Sequence, residues 1–203
     1  MTRLLVFDRT CTDGIAGLSR AWSAGATLYR GLGRIEDRLG VTSWDEAFDW
    51  LAARQEPISQ IQYWGHGKWG CALVDNDVFD ATRLHDKRLD AIRERLTPDA
   101  LLWFRTCETF GARAGIDFAQ RLADRLGCRV AGHTYIIGFH QSGLHGLAPG
   151  VRADWSPDEG LEEGTADAPV RAKWSKPWAP RTITCLGSKV PAQWFSAASE
   201  RYA

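Results

Sequence analysis

Leu101-Leu102-Trp103-Phe104-Arg105-Thr106-Cys107-Glu108-Thr109-Phe110-Gly111 is the stretch on which the reading of this chain turns. Four large apolar residues run directly into an arginine, a threonine and a cysteine, the pattern of a buried strand ending at Cys107. Upstream, Ile61-Gln62-Tyr63-Trp64-Gly65-His66-Gly67-Lys68-Trp69-Gly70 ends in the same fashion at a histidine held between glycines. Two neighbouring strands of one parallel sheet would then deliver an imidazole, His66, and a thiol, Cys107, to the same edge.

Working outward, the remaining elements alternate between strand and helix. Leu4 to Phe7 read as a short buried strand ending at Asp8. Ile15 to Trp22 read as a short helix before Gly25, and Ala26 to Tyr29 as a second strand closed by Gly31 and Gly33. Ser43 and Glu46 stand at capping-box spacing ahead of the helical stripe Ala47, Phe48, Leu51 and Ala52, which stops near Pro57. Ile58 to Trp64 form the strand leading to His66, and GCALVDNDVFD after it reads as a hairpin or a pair of brief strands. Helices follow over Arg83 to Leu96 and Ile116 to Leu126, the second ended by Gly127 at its C′ position. Cys128 to Ala131 and Tyr135 to Ile137 supply further strand. This alternation predicts an α/β three-layer sandwich, with a mostly parallel sheet and helices on both faces. In such folds ligands bind beyond the carboxyl ends of the strands, where His66 and Cys107 fall.

The 203 residues suit one core, taken as residues 1–145, with an extension over 146–203. That extension is rich in Trp, Pro and Gly and carries Trp155, Trp174, Trp178 and Trp194. It reads as a layer covering the core, with a recognition surface for peptide or carbohydrate as the second reading. Twenty-five basic residues balance 25 acidic ones, so no overall field attracts nucleic acid or an acidic membrane. No apolar run approaches membrane-spanning length, and the N-terminus reads as a strand and not as an export signal. Five cysteines at irregular spacing make neither a disulfide framework nor a zinc signature, which points to a reducing, cytoplasmic setting. His140 and His145, five apart in a Gly-rich segment, lack the spacing of a zinc protease, and no metal or cofactor is expected.

A histidine beside a cysteine can lower the thiol pKa or take its proton and later protonate the leaving group. Gly67 lets a substrate approach the backbone, so the N–H groups of Gly67 and Cys107 are the candidate oxyanion donors. Arg105 alternates onto the side of Cys107, where its fork suits a substrate carboxylate, or else it pairs internally with Asp8 or Glu108. Glu108 beside the thiol disfavours the thiolate if it is poorly solvated. His133, just past a predicted strand, is a further candidate for lining the cleft. Cys11, Cys71, Cys128 and Cys185 lack such a context and read as incidental thiols.

An apolar strand ending in His66-Gly67, followed by one ending in Cys107, resembles the caspase-like clan of cysteine peptidases, of the caspase, gingipain, clostripain and CHAT type. The likeness spans Leu4 to Ile137, and Gly111 to Thr134 is similar to bacterial caspase-like domains of unknown function. The resemblance implies a peptide or protein substrate, His66 as general base and acid, Cys107 as nucleophile, and Gly67 with Cys107 as oxyanion donors. Two departures stand out. Arg105-Thr106 precede the cysteine where caspases have Gln-Ala, and Thr109 stands where they have glycine. A caspase-like binding module without turnover and a Cys–His hydrolase of a small amide or ester are the alternatives.

Overall fold

The computed structural model describes residues 1–12 and 17–195. The chain runs through β1 (Thr2–Asp8), α1 (Leu18–Gly31), β2 (Asp37–Val41), α2 (Trp44–Ala52) and β3 (Ile58–Trp64). A three-stranded antiparallel meander follows, made of β4 (His66–Lys68), β5 (Cys71–Val74) and β6 (Asp77–Asp80). Next come α3 (Arg88–Arg95), β7 (Leu96–Arg105), α4 (Ala112–Leu126), β8 (Arg129–His133), β9 (His140–Gln141) and β10 (Leu144–Leu147). Beyond these lie β11 (Leu161–Gly164), β12 (Pro169–Ala172) and β13 (Ile183–Thr184). The main sheet has the order β10-β8-β7-β3-β1-β2, all parallel except the edge strand β10. This is the expected α/β architecture.

Alternation along the strands decides which helix covers which face. On β1, Leu4 and Val6 join a large cluster with Phe48 of α2, Ile92 of α3 and Phe118 of α4. Leu5 and Phe7 point the other way and meet Ala26 and Tyr29 of α1. Beside α1, where Trp103, Ala131 and Leu144 would otherwise face water, Ile183, Val190 and Trp194 of the C-terminal segment close the layer. Three helices therefore cover one face, and one helix with an irregular strap covers the other. Fully burying one such aromatic or aliphatic side chain stabilises by about 1.5–3 kcal/mol.

The first sixty residues depart from expectation. The strand predicted over Ala26 to Tyr29 is the second half of α1, which runs unbroken through Gly25; Ile15, the predicted helix start, lies outside the described residues. Gly25 is a packing residue and not a terminator, because a Cβ there would stand 2.7 Å from Cζ3 of the Trp64 ring. The true second strand is β2, whose sequence DRLGV buries only Val41. An edge strand of that kind carries no apolar run to be read. Downstream, α3 is shorter than expected because Ala81–His85 form a 3-10 turn, β7 begins at Leu96 ahead of Leu101, and α4 begins at Ala112 ahead of Ile116. Tyr135 to Ile137 are not a strand of the sheet, although Ile136 bridges Trp174.

Elsewhere local chemistry acts as read. The N–H of Glu46 donates to Ser43 Oγ at 3.2 Å, and the Glu46 carboxylate accepts from the Thr42 N–H at 2.8 Å. Gly127 ends α4 in the left-handed conformation at φ +63°. No helix of the described residues is long and apolar enough to cross a membrane.

Candidate active site

Register brings the two candidate residues together. In the parallel pairing of β3 with β7, Trp64 lies beside Arg105. His66 is two residues past Trp64 and Cys107 two past Arg105, so both leave the sheet at its carboxyl edge at matching height. Gly67 then packs directly on the cysteine loop. A Cβ on Gly67 would fall 2.2 Å from Thr109 Oγ1, 2.7 Å from the Cys107 carbonyl oxygen and 2.8 Å from Thr106 Cβ. The glycine is needed for contact between the two loops, a reason different from the substrate approach expected of it. Gly65 makes room for the Tyr63 hydroxyl, which donates to the Leu73 carbonyl at 2.5 Å.

The cysteine loop is held tightly. Glu108 sits at φ +44°, a conformation uncommon outside glycine. Backbone N–H groups of Glu108 and Phe110 donate to the carbonyls of Tyr135 and His133, each at 3.0 Å, and Thr109 Oγ1 donates to the Cys71 carbonyl at 3.2 Å. The Ile137 N–H donates to Cys107 Sγ at 3.5 Å. Burial pushes the Cys107 thiol up, and Glu108 adds to this; the Ile137 N–H and Lys68 act in the opposite direction. The resting group at neutral pH is therefore the thiol. Glu108, only 3 % exposed, pairs with Lys68 Nζ at 3.0 Å through one oxygen. His66 is half-buried, with its ring edge-on to Trp22 at 5.4 Å between centroids.

His66 and Cys107 line one cleft of ≈ 610 Å³. One wall is the outer face of α1, with Leu18, Trp22 and Leu28; the floor includes Trp64 and Arg105; the far wall includes Ile137 and Trp174. The α1 wall was missed because Gly25 was read as a helix end. Read continuously, Leu18, Ala21, Trp22, Gly25, Leu28 and Tyr29 follow one helical face.

Arg105 is 4 % exposed, and its internal partners are neither Asp8 nor Glu108. Its Nε and Nη2 donate to Gln141 Oε1 at 3.1 and 2.7 Å. Nη1 donates to the Tyr29 hydroxyl at 2.7 Å and the Gly187 carbonyl at 2.9 Å, and Nη2 also donates to the Cys185 carbonyl at 2.7 Å. The Trp103 ring lies 4.5 Å from the guanidinium carbon. All five donors are thus engaged, two of them on carbonyls of the C-terminal strap and the others on Gln141 and Tyr29, so no fork is left for a substrate carboxylate.

His133 does not line the cleft. It ends β8 wholly buried, its Nδ1 3.0 Å from the Ser142 carbonyl, and burial pushes its pKa down to about 3. The unfolded chain protonates this histidine near pH ~6.5, so the stability that its neutral state contributes is complete above that pH. It is lost as pH falls from there towards about 3, a total of the order of 5 kcal/mol. Denaturant unfolding of wild type and His133→Gln at falling pH is expected to show the variant losing less stability on acidification; parallel curves would refute this. His145 is likewise structural, its Nε2 2.7 Å from Glu159 Oε1. Among the described residues no group of three or more His, Cys, Asp or Glu is arranged to hold a metal ion.

Residues 40–148 match the profile of a family described as a domain of unknown function, DUF4347. This stretch is more than half of the 203 residues. The chain belongs to the DUF4347 family. No curated protein and no solved structure matches it. The DUF4347 match contains His66, Cys107 and the strands that precede them, together with Ile137 of the far wall, whereas the α1 wall and the lining residues Trp174, Cys185 and Leu186 lie outside it.

Proposed function

We propose that this DUF4347 chain is a caspase-like cysteine hydrolase that cuts peptide bonds, with Cys107 as nucleophile and His66 as proton carrier. The observation that carries the reading is that two adjacent parallel strands, in register, are each followed two residues on by a side chain, an imidazole and a thiol, that lines one cleft. Because burial keeps Cys107 protonated at rest, His66 acts as a general base during attack and not as the partner of a standing thiolate. The Sγ–H proton passes to His66 as the sulfur–carbon bond forms, and the carbonyl oxygen becomes an oxyanion. The N–H groups of Gly67 and Cys107 are the proposed donors to that oxyanion. The carbon–nitrogen bond then breaks, the amine leaves with the proton from His66, and a water activated by His66 hydrolyses the thioester, restoring the thiol.

The raised thiol pKa also favours a second reading, a binding or signalling module that keeps the fold without turnover. Iodoacetamide alkylation of each cysteine against pH, resolved by mass spectrometry in wild type and His66→Ala, separates the two. For a hydrolase, Cys107 labelling at pH ~7 falls about tenfold or more without His66. Identical profiles in the two proteins would leave Cys107 an ordinary buried thiol and favour the module.

A further inference from the structure

We infer that the cleft beside Cys107 is a subsite for a large apolar side chain, aromatic or leucine-like, on the residue whose carbonyl Cys107 attacks. This rests on the hydrolase reading and names its substrate class. The first ground is the character of the walls. Leu18, Leu28, Leu186 and Trp174 are 46, 48, 51 and 64 % exposed, and all four face this cleft. Large apolar side chains left half in water around a single concavity lose that exposure when an apolar group enters. The cleft, at ≈ 610 Å³, is large enough for such a side chain and part of its neighbour.

The second ground is the charge of the lining. Among the described residues no carboxylate lines the cleft, and its one guanidinium, Arg105, has every N–H already donated within the protein. A lysine or arginine entering here would be desolvated without a counter-charge and beside a like charge. An aspartate would meet the positive field of Arg105 but could gain a hydrogen bond from that guanidinium only by displacing Gln141, Tyr29 or the carbonyls of the strap. It would leave that strap less well held. Of the three classes only the apolar side chain enters without leaving a polar group unpaired.

The test uses the full-length chain and a set of peptidyl chloromethyl ketones identical except for phenylalanine, leucine, aspartate, arginine or alanine next to the reactive carbon. Each alkylates by forming a bond from Cys107 Sγ to the methylene carbon as chloride leaves, the thiol proton passing to His66 and on to solvent. The phenylalanyl and leucyl reagents are expected to label Cys107 about tenfold or more faster than the other three. In Leu28→Glu, a change at a half-exposed position that puts a carboxylate on the wall, the arginyl reagent is expected to gain on the phenylalanyl one. Fastest labelling of Cys107 by the aspartyl or arginyl reagent overturns the subsite and leaves the hydrolase reading standing. If no reagent reacts at Cys107 in a His66-dependent way, the hydrolase reading fails, and the subsite is judged by binding alone. For that, Cys107→Ala is titrated with N-acetyl amides of phenylalanine and arginine, read by the fluorescence of the tryptophans in the cleft. Tighter binding of the phenylalanine amide by about tenfold upholds an apolar subsite, and equal or weaker binding overturns it.

Discussion

Arg105→Ala is expected to destabilise the protein by about 3–5 kcal/mol, even though the residue it removes is a buried charge. Two effects oppose each other. Deleting the guanidinium removes its desolvation penalty, worth several kcal/mol. It also removes five charge-assisted hydrogen bonds, each contributing roughly 1.5–3 kcal/mol. The second effect is larger, because Gln141 Oε1 loses both of its donors and the carbonyls of Cys185 and Gly187 are left with the Tyr29 hydroxyl alone among the described residues. Arg105→Lys is not expected to rescue, since an ammonium has three donors on a point charge and cannot span these acceptors. Urea unfolding gives the stability, and limited proteolysis between residues 176 and 190 reports whether the strap has come loose. A loss below about 1 kcal/mol would mean that the strap is held by its apolar contacts alone.

Gly67→Ala is expected to reduce the His66-dependent reactivity of Cys107 by about 100-fold while the protein stays folded. The added methyl has nowhere to go, since its three nearest neighbours, Thr109 Oγ1, the Cys107 carbonyl and Thr106 Cβ, all belong to the nucleophile loop. That loop is pinned by the bonds of Glu108, Phe110 and Thr109. The short strand β4 yields instead, and His66 with it. Displacement of an imidazole by about 1 Å is enough for a loss of that size. The overpacking itself costs about 1–3 kcal/mol, which thermal unfolding separates from the loss of reactivity. A Gly67→Ala protein that labels like wild type would show that β4 and the cysteine loop are not mechanically coupled.

Much of this was legible in the chain itself. Leu101 to Phe104 are apolar without interruption because a strand buried on both faces needs apolar residues at every position, and Ile58 to Trp64, though broken by Ser59, Gln60 and Gln62, keeps enough apolar residues to read as a strand without a structure. Ser43, Glu46 and Gly127 declared helix ends through hydrogen bonds and backbone angles local to a few residues. That His66 and Cys107 each follow closely on an apolar strand is equally local. What tertiary structure alone decided is everything that depends on a distant partner. Gly25 reads as a break until the Trp64 ring is placed against it, and DRLGV, with no apolar run, is a strand only because β1 supplies its hydrogen bonds. The acceptors of Arg105 come from 36 to 82 residues away along the chain, and the position of His133 depends on β10 and the strap that cover it. The apolar character of the cleft belongs to the same class, because its walls come from opposite ends of the chain and become a single surface only once the sheet has brought them together.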